Sequence, residues 1–226
     1  QGPITSSWRR RLTIKNMDKI LKEIEEFYRK RFSEFGPTAE GVGWKDKEAQ
    51  RMRHQALLEG IRPADKQRPI TVHEIGCGVG HMLDLIKELG LPYTYSGSDA
   101  SEAYLAEARK RHPGVEFTRF NFITDPPPGK YDYVFLSGSF NYLPPSAGWD
   151  GWRDIVFDVI NKMWDMCLLG IGFNLLTDAV DWRDPDLFYM SPCEIIEHLR
   201  KLSRLFLIRH DYYPFEFSAF AYREKG

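Results

Sequence analysis

Apolar residues early in the chain recur at the spacing of a helix. Between residues 16 and 32 they stand three or four positions apart among charged residues: Ile20, Ile24, Phe27 and Tyr28. This pattern predicts an amphipathic helix. A second, more polar helix is expected over Lys45–Glu59, between glycine-containing and proline-containing turns. We therefore assign residues 1–68 to an N-terminal helical cap or lid segment.

From residue 69 onward, short apolar runs alternate with helical stretches. The runs that predict strands are Ile70–Ile75, Tyr93–Ser98, Val115–Phe120, Tyr131–Leu136, Leu168–Phe173, Leu205–Arg209 and Phe217–Tyr222. The last two runs stand too close together for a parallel crossover, so they should pair antiparallel. Residues 69–226 are thus expected to form one α/β domain. Its fold should be Rossmann-like and doubly wound, with a seven-stranded, mostly parallel sheet and an antiparallel C-terminal hairpin strand.

Composition narrows the class of protein. The 226 residues include 31 Lys and Arg against 32 Asp and Glu, and this balance provides no overall field for a nucleic acid. The three cysteines form no metal-binding cluster, which favours reduced thiols and no metal. No apolar stretch approaches the ~20 residues of a membrane span. We expect a cytoplasmic protein that binds no membrane, and the sequence leaves its oligomeric state open.

A glycine-rich turn follows the first predicted strand. Gly76, Gly78 and Gly80 stand at alternating positions there, and Asp99 ends the second strand. Glycines let a ligand approach the backbone closely, and a carboxylate about 20 residues further on can accept both hydroxyls of a ribose. This combination predicts a site for a cofactor that carries a nucleoside. A tight turn in an unrelated α/β protein is the alternative.

Two details distinguish between possible cofactors. A dinucleotide usually requires G-x-G-x-x-G, whereas this chain has G-x-G-x-G. Glu74 also precedes the first glycine, where its charge would repel a pyrophosphate but suit an ammonium or sulfonium group. The sequence therefore favours S-adenosylmethionine over a nicotinamide dinucleotide.

The motif from Glu74 to Gly80, followed by Tyr95–Asp99, resembles that of the class I S-adenosylmethionine-dependent methyltransferases. The resemblance extends over about residues 70–222. It implies that Glu74 orients the methionyl end of the cofactor and that Asp99 binds the ribose. The other cofactor contacts that it implies come from Gly76, Cys77, Gly78, Gly80, Ala100, Asn121, Phe122, Ser137 and Gly138. The Cys77 side chain itself is expected to pack.

A second resemblance, to an uncharacterised bacterial group of small-molecule methyltransferases, depends on residues 41–44 with Arg53, residues 173–176 and residues 212–217. Trp44 and Arg53 belong to these parts, and both are candidates for contact with the cofactor, Arg53 through the cofactor carboxylate. Helix packing is the alternative for both residues.

Candidates for the acceptor side are more dispersed. Asn141 stands where relatives place a polar residue near the transferred methyl group, and His210 or Tyr213 could act as a general base. The segment 177–190 is the expected substrate wall. The candidate substrate-binding residues are Tyr142, Asn174, Trp182 and Tyr189. A structural role is the alternative for each residue.

These observations predict methyl transfer from S-adenosylmethionine to a small-molecule acceptor by in-line displacement, with S-adenosylhomocysteine as the product. Alignment of the reacting atoms supplies most of the catalysis, and a base is needed only if the acceptor must lose a proton. Two alternatives stay open: a non-catalytic S-adenosylmethionine-binding accessory protein, and a nicotinamide-dependent oxidoreductase. The sequence does not indicate whether oxygen, nitrogen or carbon is methylated.

Overall fold

The computed structural model describes residues 14–224. Its helices are α1 (Ile14–Phe35), α2 (Lys47–Glu59), α3 (His81–Glu88), α4 (Glu102–Arg111), α5 (Gly148–Met166) and α6 (Pro192–Leu199). Its strands are β1 (Ile70–Ile75), β2 (Tyr93–Asp99), β3 (Glu116–Arg119), β4 (Tyr131–Leu136), β5 (Cys167–Thr177), β6 (Tyr189–Met190), β7 (Leu205–Arg209) and β8 (Glu216–Tyr222). Short 3-10 turns cover Glu40–Val42 and Pro63–Asp65.

The strands form one mixed sheet in the order β3-β2-β1-β4-β5-β8-β7. Only β8 runs antiparallel to its neighbours along this path, which confirms the predicted C-terminal hairpin. The sheet differs from the prediction at β5, which continues to Thr177, and at β6, which pairs with the end of β5. Pairing with β8 extends β5, because β8 follows it as far as the Leu176–Glu216 register pair.

Helices cover both faces of the sheet, and alternate residues of the central strand point to opposite faces. Val134 and Leu136 pack with the apolar stripe of α5, which includes Trp152 and Ile155. Tyr133 and Phe135 join a second cluster that is contributed by α2, α3 and α4. Burial on both faces explains why β4 has an almost continuous apolar sequence.

Side-chain caps start several helices where the sequence indicates. Ser101 accepts a hydrogen bond from the Tyr104 backbone N–H at the start of α4, and Ser191 accepts one from Cys193 at the start of α6. Pro192 occupies the first turn of α6, where its missing N–H costs no helical hydrogen bond. Local sequence therefore determines these helix boundaries.

We refer to residues 14–44, which comprise α1, the first 3-10 turn and Trp44, as the N-terminal cap. The cap crosses the edge of the sheet where the parallel strands end. Glu23 accepts hydrogen bonds from the backbone N–H (2.9 Å) and the hydroxyl (2.5 Å) of Ser146, beyond β4. Tyr104, beyond β2, donates to the Gly41 carbonyl (2.9 Å). The cap is therefore attached on both sides of the glycine turn.

The predicted boundary at residue 68 remains an interpretation. Leu57 and Ile61 are fully buried in the same apolar cluster as Phe220 of β8, and the Tyr222 hydroxyl donates to the Gly60 carbonyl (2.8 Å). Helix α2 is thus packed directly on the sheet. Within residues 14–224, no helix has both the length and the apolar composition to cross a bilayer.

Candidate functional site

The glycine turn after β1 requires left-handed backbone at three positions. Gly76, Gly78 and Gly80 have φ angles of 67°, 54° and 86°, which side-chain-bearing residues rarely adopt. Between them, the Cys77 backbone N–H donates to the Ser98 carbonyl (3.0 Å) and ties the turn to β2. Burial raises the pKa of the Cys77 thiol, so this residue packs as a neutral side chain. The turn leads directly into α3.

Asp99 lies half-buried beside this turn. Its two carboxylate oxygens accept hydrogen bonds from the backbone N–H groups of Gly78 (3.0 Å) and Ser101 (2.8 Å). Burial raises the pKa of Asp99 to about 6, although these hydrogen bonds oppose the rise. Each oxygen of an ionised carboxylate has a further lone pair to offer. Asp99 can therefore accept the two hydroxyls of a ribose while it stays fixed to the turn.

Glu74 lies inside the protein beneath α2. Its side chain accepts a hydrogen bond from the Tyr95 hydroxyl (2.5 Å), and its other oxygen lies 3.8 Å from His54 Nε2. Burial raises the pKa of Glu74 to about 8 and lowers that of His54 to about 3. The carboxyl group is only 2% exposed. Its predicted role at the methionyl end of the cofactor stays a prediction.

Three of the residues that the resemblance implies as cofactor contacts lie after β2 and β3. Ala100 is exposed, and Phe122 is half-buried with its ring edge-on to Phe140. The side-chain oxygen of Asn121 accepts a hydrogen bond from the Ile123 backbone N–H (3.0 Å). This bond leaves the amide nitrogen of Asn121 and a second lone pair of its oxygen for a ligand.

Asn174 holds the turn that follows β4. This residue is fully buried on β5, where its side-chain oxygen accepts from the Gly138 N–H (2.8 Å) and its nitrogen donates to Ser137 Oγ (3.2 Å). Both ends of the amide are thus occupied by protein. Asn174 was a candidate for direct substrate binding, but the structure places it behind the turn that it supports.

The N-terminal cap lies directly on both turns. A Cβ atom added to Gly78 would stand 3.1 Å from Val42 Cγ1, and one added to Gly138 would stand 2.5 Å from Trp44 Cζ2. Gly138 also has a φ angle of 73°. Trp44 therefore lies beside the turn after β4, and its predicted contact with the cofactor stays a prediction.

Arg53 of α2 has a carboxylate partner within the protein. Its Nε lies 2.8 Å from both side-chain oxygens of Glu216, the first residue of β8. The guanidinium also lies between the rings of Trp44 (5.0 Å) and Tyr213 (4.5 Å). Glu216 thus balances the charge of Arg53 within the protein, and the predicted contact of Arg53 with a cofactor carboxylate stays a prediction.

Glu216 was missed by sequence reasoning, although an acidic residue between two aromatic residues at a strand start is an unusual signal. It is fully buried and also accepts from the Tyr212 hydroxyl (3.2 Å). Burial raises the pKa of Glu216, while Arg53, Tyr212 and a side-chain hydrogen bond from Asn141 oppose the rise. The Asn141 side-chain oxygen is buried and has no hydrogen-bond partner within residues 16–224.

The remaining acceptor-side candidates lie around the rim. Tyr142 stacks on Phe27 of α1 at 4.2 Å, while Tyr189 is buried and its hydroxyl accepts from the Asp184 backbone N–H (3.0 Å). Trp182 is 71% exposed. His210 is exposed, and its Nε2 lies 3.2 Å from the Pro214 carbonyl. The structure therefore brings Asn141 and Tyr213 close to the glycine turns and leaves His210 at the surface of the β7–β8 turn.

Three carboxyl groups lie at this edge of the sheet, those of Glu74, Asp99 and Glu216. The Arg53 guanidinium pairs with Glu216, and His54 is neutral at pH 7. A cation bound nearby would lower the pKa of Glu74 and stabilise its charged form. The residues present thus fit a ligand that combines a ribose with a positively charged group.

Known proteins share these features. A family profile described as a methyltransferase domain matches residues 73–162. A putative methyltransferase of Mycobacterium tuberculosis is 30% identical over 164 residues, which cover 70% of this chain and 96% of that protein. The trans-aconitate 2-methyltransferase of Acidovorax ebreus is 35% identical over 96 residues. This match spans 42% of the chain but only 37% of the enzyme.

Solved structures show the same fold at lower identity. The DhpI protein, solved as a complex with S-adenosylmethionine and a second ligand abbreviated HEP, superposes with a TM-score of 0.59 at 17% identity. The superposition covers 94% of this chain and all of that protein. The N-terminal cap and the sheet thus both have counterparts in one known architecture.

Proposed function

The chain belongs to the class I S-adenosylmethionine-dependent methyltransferases, and from this premise we propose that it methylates a small-molecule acceptor. Asp99 carries the proposal, because its carboxylate is fixed by the glycine turn and keeps lone pairs for a ribose. S-adenosylmethionine, when bound, supplies a methyl group on a positively charged sulfur. The product is S-adenosylhomocysteine.

The residues of this chain bind and orient the reactants. Asp99 holds the ribose, while the glycines in left-handed conformation let the cofactor approach the backbone of the turn closely. Asn174 fixes the Gly138 N–H and Ser137, so the turn beside the reacting centre keeps one conformation. Trp44 covers this turn and excludes water. Positioning of this kind can lower a barrier by about 7–11 kcal/mol.

The acceptor is proposed to bind next to Asn141. Glu216 can only accept hydrogen bonds while it is ionised, so the Asn141 amide nitrogen faces Glu216 and its oxygen points away. A buried oxygen without a partner costs about 1–3 kcal/mol, which a hydrogen-bond donor on the acceptor would recover. A hydroxyl or amine group fits this requirement. Tyr213 and Trp44 provide the neighbouring aromatic walls.

The cap supports a small acceptor over a macromolecular one. It is attached on both sides of the glycine turn through Ser146 and Tyr104, and it leaves the edge of the sheet covered rather than open. The Acidovorax ebreus relative is named for the methylation of trans-aconitate, a small molecule. The nearly balanced charge of the chain also favours this proposal over binding of a polyanion.

Calorimetric titration tests the cofactor part of the proposal. The wild-type protein should bind S-adenosylhomocysteine, and Asp99→Ala should weaken this binding by at least about tenfold, because two ribose hydroxyls lose a charged acceptor. Asp154→Ala is a suitable control, since Asp154 is half-buried on α5 and pairs with Arg153. Equal affinity of wild type and Asp99→Ala would disprove the assignment of Asp99.

A labelled-methyl assay tests the acceptor class. The protein is incubated with S-adenosylmethionine labelled on the methyl group and with a cell extract divided into small molecules, proteins and nucleic acids. Label should enter the small-molecule fraction. Asn141→Ala should reduce the transfer while Asn161→Ala, on the far side of α5, should not. Label confined to protein or nucleic acid would refute the proposed acceptor class.

A further inference from the structure

Helix α1 is held in place over the ends of β2 and β4. On the β4 side, Glu23 bonds to Ser146 and Phe27 stacks on Tyr142 with the ring centroids 4.2 Å apart. On the β2 side, the Tyr104 hydroxyl lies within hydrogen-bond distance of the Tyr28 carbonyl (3.1 Å). The position of Tyr28 on α1 is therefore fixed from both directions.

The Tyr28 ring is packed between α1 and the following turn. It meets the ring of Phe27 edge-on, with centroids 5.1 Å apart. A Cβ added to Gly43 would lie only 3.0 Å from Tyr28 Cε1, and Gly43 has a φ angle of 99°. Val42, next to Gly43, reaches Gly78 of the glycine turn. The Tyr28 ring thus packs on Gly43, whose neighbour Val42 contacts the glycine turn that fixes Asp99.

The Tyr28 hydroxyl is a neutral donor in the electrostatic field of Asp99. Burial raises the pKa of Tyr28, and the negative charge of Asp99 raises it further, whereas Arg31 opposes the change. No hydrogen bond to this hydroxyl is found within residues 16–224. The oxygens of Asp99 accept from two backbone N–H groups, which places a fixed carboxylate and a phenol without a partner in the same region.

We propose that Tyr28 is a cofactor-binding residue whose hydroxyl donates a hydrogen bond to the ribose held by Asp99. The inference rests on the proposed function, because it requires a nucleoside at Asp99. The hydroxyls of a ribose donate to the carboxylate and keep lone pairs of their own, which a neutral phenol can fill. The N-terminal cap would then supply one wall of the nucleoside site as well as cover it. Tyr104 acts through Tyr28 and is a positioning residue.

Tyr28→Phe is the direct test, because it removes the hydroxyl and keeps the ring. Two probes are titrated by calorimetry: S-adenosylhomocysteine, and 5′-methylthioadenosine, which has the ribose but lacks the amino-acid end. A neutral hydrogen bond corresponds to about a three- to tenfold loss of affinity. Both probes should lose affinity by the same factor. A loss confined to S-adenosylhomocysteine would place the hydroxyl at the amino-acid end and overturn the proposal.

Tyr93→Phe is the matched control. Tyr93 is half-buried at the start of β2, at the opposite end of that strand from Asp99, so its variant should bind both probes as the wild type does. Hydrogen exchange on the wild-type protein provides a second measurement, since residues 24–32 should exchange more slowly when S-adenosylhomocysteine is bound. Unchanged affinity of Tyr28→Phe for both probes would reject the inference, even if exchange of these residues slowed. If the wild type bound neither probe, the proposed function itself would fail.

Discussion

At the scale of single residues, the site depends on a buried ion pair that crosses the molecule. Arg53 and Glu216 are separated by 163 positions in sequence, and their side chains are 7% and 0% exposed. The pair joins α2 to the first residue of β8 beneath Trp44 and Tyr213. Its desolvation cost is tolerated because both oxygens of Glu216 are hydrogen-bonded.

Glu216→Gln should strongly destabilise the protein. The variant leaves the Arg53 guanidinium buried without an anion, and breaking such a pair costs about 3–5 kcal/mol of unfolding free energy. Replacing both residues, Arg53→Met with Glu216→Leu, should recover most of this loss. Urea unfolding measures both effects.

The pair of Arg51 and Glu88 provides the comparison. These side chains are 38% and 60% exposed, although the ion pair is short at 2.5 Å. Glu88→Gln should cost no more than about 1 kcal/mol, because water replaces the lost partner. Similar losses in Glu88→Gln and Glu216→Gln would show that burial does not determine the strength of these pairs.

At the scale of elements, the N-terminal cap and the turns at the strand ends fit against one another. Trp44 occupies the space beside Gly138, and Val42 that beside Gly78. Neither glycine can accept a side chain without moving the cap. The cap and the turns should therefore respond together to a substitution in either.

Gly138→Ala should displace Trp44 and weaken the binding of S-adenosylhomocysteine. The new Cβ would stand 2.5 Å from the indole, and left-handed backbone adds about 1–2 kcal/mol for any residue with a side chain. Gly114→Ala separates the two effects, because Gly114 has a φ angle of 81° but no atom within 4 Å of its added Cβ. Only Gly138→Ala should change the near-ultraviolet circular dichroism and the affinity. Equal behaviour of the two variants would contradict the contact with the cap.

At the scale of the whole molecule, several buried groups stay neutral in the folded protein over a pH range in which the unfolded chain carries them charged. Burial lowers the pKa of His54 and His73 to about 3, and the His73 ring is bonded to Ser96 (2.8 Å) and Ser98 (2.9 Å). Glu74 shows the opposite shift, to about 8. Stability should consequently depend on pH in both directions.

The sign of each contribution follows from where the proton is bound. Above pH 6.5 each histidine is neutral in both the folded and the unfolded state, and its contribution to the free energy of unfolding is fully present. This contribution is lost as the pH falls from 6.5 toward 3, because the unfolded chain binds the proton first. The Glu74 contribution is present below pH 4.5 and is lost as the pH rises through about 8. Urea unfolding across this range should show His73→Asn losing stability toward acid less steeply than wild type, by about 1.4 kcal/mol per pH unit. Parallel curves for the two proteins would contradict the burial of a neutral His73.

The sequence by itself determined the features that local patterns encode. Alternating strand and helix periods predicted the sheet, and the short link between the last two strands predicted their antiparallel pairing. The glycine spacing with Glu74 and Asp99 predicted the cofactor class. These signals are local, because backbone conformation at a turn and the period of burial are fixed by residues close in sequence.

Only the tertiary structure decided which distant side chains meet. The sequence predicted that Arg53 and Asn174 contact ligands. In the folded protein Arg53 pairs with Glu216, and the Asn174 side chain accepts a hydrogen bond from the Gly138 backbone. The sequence predicted Tyr28 as one apolar position of a helix stripe. Only the crossing of α1 over the sheet brings it into contact with Tyr104 and with the residues next to the glycine turn. A charge or hydroxyl finds its partner through the arrangement of whole elements, which no local pattern specifies.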